Sequence, residues 1–278
     1  MRIQILALAA ATCGLLAITP SAQAATGCGA LPNHAALQGA LKAARADNNG
    51  GLNLDMWGSV VARDGTVCAV AYTGDTVDAQ WPGSRVISAQ KANTANAFSL
   101  KGLALSTANL YAATQPGGPL FGLQESNPVN VAAAYKGPSS NFGSTRDPLV
   151  GQVIGGVNVF GGGLALYNQA GEIVGALGVS GDTSCADHNI AWRTRAALKL
   201  DYVPAGVSPD KNDGIIYDMG GLKGASSSGF GHPACGNTEN EVAKDLAKTA
   251  TAAVTEEQPD PVKEAAEQNE KKEDTKAD

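Results

Sequence analysis

The chain has 278 residues, with 20 Lys and Arg against 26 Asp and Glu, for a formal net charge of −6. Residues 1–238 carry 14 basic and 14 acidic side chains, whereas residues 239–278 carry 6 and 12, so the acidic excess belongs to the last 40 residues. The neutral body lacks the Lys/Arg surplus that displaces counterions from a phosphate backbone, which argues against nucleic acid as a partner, and 44% apolar residues argue against global disorder.

Residues 1–24 read as a secretory signal: Arg2 is the positive start, Ile3 to Ile18 is nearly all apolar, and Ala22-Gln23-Ala24 fits the small-x-small cleavage rule. Lipid attachment at Cys13 is the weaker alternative, because no Leu-led box precedes it. No later stretch reaches the roughly 18 apolar residues of a membrane span. Cleavage near Ala24 leaves Cys28, Cys68, Cys185 and Cys235, an even set without C-x-x-C spacing, which in an exported chain indicates two disulfides. Three connectivities are open; Cys28–Cys68 with Cys185–Cys235 would staple each flank of the domain to its nearest element.

A first helix is expected from the N-cap Asn33 to Ala46, with Leu37 and Leu41 on one face, ended by Asn48-Asn49-Gly50-Gly51. Two strand-like runs, 54–62 and 66–73, flank Arg63-Asp64-Gly65, a hairpin signal. A second helix is expected over about 86–101, then a section without clear periodicity over about 106–150. Strand pattern returns at 153–160, 164–168 and 172–179, followed by a helix over about 183–200. Hairpins without crossovers imply an α+β fold, an antiparallel sheet of about five strands flanked by helices. The domain is expected to span 25–238, with 239–278 an acidic, disordered tail: 239–254 could form a weak Ala-rich helix, and from Thr255 onward almost nothing can be buried.

Ser88-Ala-Gln-Lys91-Ala92-Asn-Thr94-Ala95 resembles the S-x-x-K-A-x-T-A segment of the GlcG/HbpS-like family of haem-binding proteins. Gly171-Glu-Ile-Val174-Gly175-Ala176-Leu-Gly178-Val179-Ser180-Gly181 is similar to that family's glycine-rich signature, with Asp187 and Ala191 at matching distances beyond it. The resemblance covers about Leu37–Leu200. It implies a profilin-like domain, binding of haem or its iron, and homo-oligomers. The section 106–150 looks like an insertion, and the cysteines, 201–238 and the acidic tail lie outside the shared pattern.

Within these motifs, Gly178-Val179-Ser180-Gly181-Asp182-Thr183 occupies a strand-to-helix turn whose free N–H groups suit a haem propionate. The structural alternative is a tight turn with Asp182 or Thr183 as helix cap. Lys91 and Thr94, three apart on a helix, could pair with a propionate and hydrogen bond to it; the bland reading is a surface Lys91 and a Thr94 bonded back within its helix. Of three histidines, His34 reads as solvated and His232 as structural, which leaves His188, beside the signature turn, as the candidate iron ligand. The haem-binding set is therefore Lys91, Thr94, Ser180, Gly181, Thr183 and His188. A serine nucleophile elbow would need Gly where Asp182 stands, and the adjacent Asp187 and His188 would point about 100° apart on a helix. No catalytic residue emerges. The expectation is an exported, secreted or periplasmic haem-binding or haem-degrading protein; the alternatives are a cofactor-free oligomerising domain and an enzyme on another small anion.

Overall fold

In the computed structural model, residues 27–220 and 224–249 are described. The signal-like segment 1–24 and the tail from Thr255 onward lie outside the described residues. Asn33 caps α1 (His34–Ala46) by accepting a hydrogen bond from the Ala36 N–H at 3.0 Å. The Asp-Gly hairpin joins β1 (Trp57–Ala62) to β2 (Val67–Tyr72), with Gly65 at φ +85°. Then come α2 (Ser84–Phe98), three single helical turns, α3 (Tyr111–Thr114), α4 (Leu123–Ser126) and α5 (Val131–Ala134), and the hairpin of β3 (Gly163–Tyr167) and β4 (Ile173–Ser180). Two helices follow, α6 (Ser184–Ala197) and α7 (Glu239–Ala247).

The strands form one antiparallel sheet in the order β2-β1-β4-β3, with β1 paired to β4 from Trp57↔Ser180 to Ala62↔Gly175. Alternation along the strands sends Val60, Leu164, Leu166, Leu177 and Val179 to one face, where Leu37 and Leu41 of α1 and Ile190 and Trp192 of α6 cover them. Trp57, Val61, Val70 and Ala176 point to the other face, against Ala89, Ala92 and Ala95 of α2. The fold is thus α+β, an open antiparallel sheet between helices, as the hairpin pattern implies.

The sheet has four strands among the described residues, where about five are expected. Residues 153–160 make only isolated bridges, Thr66↔Val153 and Val129↔Gly155. Gly155 and Gly156, at φ +61° and +78°, turn that chain out of a continuous ladder. The helices also stop early. α2 ends at Ser99, whose hydroxyl donates to the Leu105 carbonyl, and α6 ends before Lys199, which sits at φ +56°.

The section 106–150 packs back on α2 through Arg85, whose Nε donates to Asp147 Oδ2 at 2.9 Å in a fully buried ion pair. The segment after α6 is anchored by Asp213, which accepts both guanidinium nitrogens of Arg195 at 2.6 and 2.8 Å. Cys28 is bonded to Cys68, tying the N-terminal turn to β2, and Cys185 to Cys235, tying α6 to the approach to α7. No helix of the described residues is long and apolar enough to cross a membrane.

Candidate functional site

The glycine-rich turn at the end of β4 is filled by the protein's own backbone. A Cβ at Gly178 would run into the Ser88 carbonyl and the Ala92 amide of α2, and one at Gly181 into the Asp55 carbonyl. These glycines let α2 and the 55–56 segment lie directly on the sheet. Ser180 is buried, and Thr183 is the N-cap of α6, accepting from the Ala186 N–H at 3.3 Å. Asp182 is engaged elsewhere: its carboxylate accepts the Leu52 and Leu54 amides at 2.8 and 3.0 Å.

Lys91 is not at the surface. The residue is 1% exposed, and its ammonium donates to Asp187 Oδ2 at 2.7 Å and to the Val179 carbonyl at 3.2 Å, which locks α2 to the β4–α6 turn. Asp187 also accepts the Asp182 N–H at 2.9 Å. Burial raises the Asp187 carboxyl to about 6, against the pull of Lys91, so the pair is ionic at neutral pH. Thr94 donates to the Gln90 carbonyl at 2.8 Å and accepts the Asn158 N–H at 2.9 Å.

His188 is different. On α6 it lines a cavity of about 290 Å³ between α6, α7 and residues 208–217. The ring is 2% exposed, and neither Nδ1 nor Nε2 has a hydrogen-bond partner among the described residues. Burial lowers its pKa to about 3, so the imidazole is neutral, the form that binds metals. Trp192, one turn on, packs beside it at 6.3 Å between ring centroids and lines the same cavity. His34 is hydrogen-bonded to the Gly143 carbonyl at 2.8 Å and His232 to the Pro233 carbonyl at 2.7 Å.

The structure therefore does not gather the expected set around one ligand. Lys91, Thr94, Ser180, Gly181 and Thr183 are committed to turn, cap and core, and none lines the cavity that His188 lines. Among the cavity's other polar side chains, Asn189, Asn212 and Tyr217 were not singled out by sequence, nor were Ser208, Asp210, Asn240 and Lys244. His188 and Trp192, four apart on one helix, gave the one usable signal; residues 208–217 carry no periodicity.

A haem fits this arrangement in part. A buried neutral imidazole with free nitrogens suits iron. Lys91 does not suit a propionate, since Asp187 already neutralises it.

The family model described as "Haem degrading protein HbpS-like" matches residues 33–196. Among solved structures, the chain is similar to a PduOC–haem complex, at 24% identity over 60% of this chain and 93% of that one, with a TM-score of 0.41. It is also similar to the Klebsiella pneumoniae protein ORFY, at 24% identity over 65% and 96%, with a TM-score of 0.42. A double variant of Streptomyces reticuli HbpS matches at 18% identity over 69% and 98%, with a TM-score of 0.38. No curated protein matches the sequence.

Proposed function

Because the chain belongs to the HbpS-like family of haem degrading proteins, we propose that it binds haem and that His188 is the side chain that reaches the iron. The observation that carries this reading is that His188 lines a cavity, with its buried, neutral ring leaving both nitrogens without a hydrogen-bond partner among the described residues. Trp192 offers a flat apolar surface beside it, and Lys244, exposed on the cavity rim, is the cation available to a propionate in place of Lys91. At about 290 Å³ the cavity lies at the lower edge of the roughly 300–1,000 Å³ that encloses drug-sized ligands. A porphyrin would therefore extend past the rim, where Asp210 and Lys244 are exposed.

Bound haem would supply a redox-active iron; the chain's own contribution is to present one neutral nitrogen and to shield it from water. Sequestration is the primary role in this reading, with haem degradation its extension. The two disulfides accord with export, which the segment 1–24 would direct. Homo-oligomerisation belongs to the same proposal and is read by light scattering.

Haemin titration of the oxidised, folded protein tests the proposal. A saturable Soret band is expected, weakened at least about tenfold in His188→Ala and unchanged in Thr94→Val, with tenfold equal to about 1.4 kcal/mol. No saturable spectral change would overturn haem binding, and an identical spectrum and affinity in His188→Ala would remove His188 from it. Slow Soret loss with iron release under reductant would establish degradation.

A further inference from the structure

The disulfide between Cys185 and Cys235 has a carboxylate beside it. Cys185 Sγ, Cys235 Sγ and a Glu239 carboxylate oxygen all lie within 4.8 Å of one another. Glu239 is the first residue of α7 and is 1% exposed, and three successive loop amides hold its carboxylate. Oε1 accepts the Cys235 and Gly236 N–H groups at 2.6 and 3.1 Å, and Oε2 accepts the Asn237 N–H at 2.8 Å. A carboxylate accepts at about four lone-pair positions, so one stays open beside the two sulfurs. Among the described residues no lysine or arginine is paired with Glu239. Taking a carboxylate out of water without a cation carries a desolvation cost that a cation would offset.

Both sulfurs are placed to be thiolates once the bond between them is broken. Cys185 is the second residue of α6, where the free N–H groups of a helix start favour a thiolate. The Ser184 hydroxyl lies 3.7 Å from Cys235 Sγ, close enough to donate to a thiolate there. Cys185 is fully buried and Cys235 half-buried, so a reductant attacks at Cys235 and Cys185 is the leaving thiolate. A dithiol supplies two electrons and two protons: the S–S bond breaks, Cys185 and Cys235 become thiols, and the dithiol closes to its own disulfide. A divalent metal then displaces the two thiol protons to solvent. His232 does not complete the set. Its Nδ1 lies 4.0 Å from Cys185 Sγ but donates to the Pro233 carbonyl at 2.7 Å, so that nitrogen carries a proton.

We propose that reduction turns this staple into a Zn²⁺ site, with Cys185, Cys235 and Glu239 as ligands and water in the fourth position. Two thiolates and a carboxylate suit zinc, which is borderline-soft and takes sulfur and oxygen in one tetrahedron; Ca²⁺ and Mg²⁺ require oxygen throughout. The ion would hold α6 to the approach to α7, as the disulfide does in the oxidised chain. Cys235 and Glu239 lie beyond residues 33–196 that match the family, so the site is an addition of this chain to the family frame. The inference goes beyond the haem reading and stands without it.

The test uses the haem-free protein, reduced with a phosphine under anaerobic conditions and titrated with Co²⁺, whose thiolate complexes absorb in the near ultraviolet, then with Zn²⁺. A saturable band at one ion per chain is expected in the reduced protein, erased by Zn²⁺ and absent from the oxidised protein. Cys185→Ser with Cys235→Ser, which keeps the Cys28 and Cys68 thiols, is expected to show no band. Glu239→Gln is expected to bind at least about tenfold more weakly, the scale on which even outer-shell partners of a metal act. No saturable band in the reduced wild type would overturn the proposal, and so would an equal band in the double serine variant. Unchanged affinity in Glu239→Gln would remove the carboxylate from the site. Circular dichroism follows the fold: if reduction costs helix, Zn²⁺ is expected to restore the helix content of the oxidised protein, and failure to restore it would also overturn the proposal. Because the cobalt band needs no haem, this titration and the haemin titration fail independently.

Discussion

Lys91 Nζ and Asp187 Oδ2 meet at 2.7 Å with both side chains almost wholly excluded from water, one on α2 and the other in the first turn of α6. The pair stands at the end of β4, where Lys91 also donates to the Val179 carbonyl. It fastens the helix on one face of the sheet to a helix on the other.

Lys91→Met should therefore destabilise the protein by about 3–5 kcal/mol, since it strands a buried carboxylate. The double substitution Lys91→Met with Asp187→Leu should recover most of that loss, because no charge then remains in the core. Urea unfolding of the three proteins checks this; a single variant as stable as wild type would contradict the lock.

Acid should weaken the haem-free fold before its carboxylates are neutralised. Burial holds His188 at about 3 and His232 at about 4, against about 6.5 in the unfolded chain. Between those values the unfolded chain binds more protons, so stability falls as pH drops from about 6.5 towards 4, by at most about 1.4 kcal/mol per pH unit for each histidine. Asp187 acts in the opposite sense. Its folded carboxyl near 6 takes up a proton before the unfolded one near 3.8 does, which adds stability as pH falls through that window. The net slope is that of two histidines opposed by one carboxyl. His232→Gln should flatten the profile of Tm against pH, and a wild-type profile that is flat from pH 7 to 4.5 would contradict it.

Gly178→Ala should cost more than about 2 kcal/mol, although alanine is the smallest possible addition. The new methyl would meet the backbone of α2 at Ser88 and Ala92, and backbone cannot give way as a flexible side chain can. Thermal unfolding of Gly178→Ala beside Gly39→Ala, where the added methyl meets nothing within 4 Å, separates this packing from general glycine effects.

Replacing Cys185 and Cys235 by serine should lower stability by about 4 kcal/mol, the chain-entropy value for a loop of their 50-residue separation. The bond also holds the approach to α7, which walls the His188 cavity, so in a Trp57→Phe, Trp81→Phe background the variant should quench more readily at Trp192 with acrylamide. Equal quenching in both proteins would show that α7 is held without it.

Local features were legible because they rest on neighbours in sequence. Asn33 as a cap, the Asp64-Gly65 hairpin and the Leu37–Leu41 face of α1 all follow from side chains a few positions apart. The supposed strand 153–160 misled because its apolar residues fit a ladder, while Gly155 and Gly156 take left-handed backbone that a ladder does not accept. The family motifs were also plain, but not that their glycines lie against backbone or that Lys91 pairs with Asp187. A sequence shows a conspicuous lysine without showing the carboxylate, 96 positions away, that neutralises it.

By itself, the sequence determined the α+β class, the antiparallel hairpins, the family and the confinement of acidic charge to the last 40 residues, because patterning and composition are local or summed properties. The tertiary structure alone decided which polar groups are free. Lys91 and Thr94 spend their hydrogen bonds inside the fold, whereas His188 lines a cavity together with Asn212 and Tyr217, which lie beyond the family's span. Whether a side chain can serve a ligand depends on which partners folding has already given it.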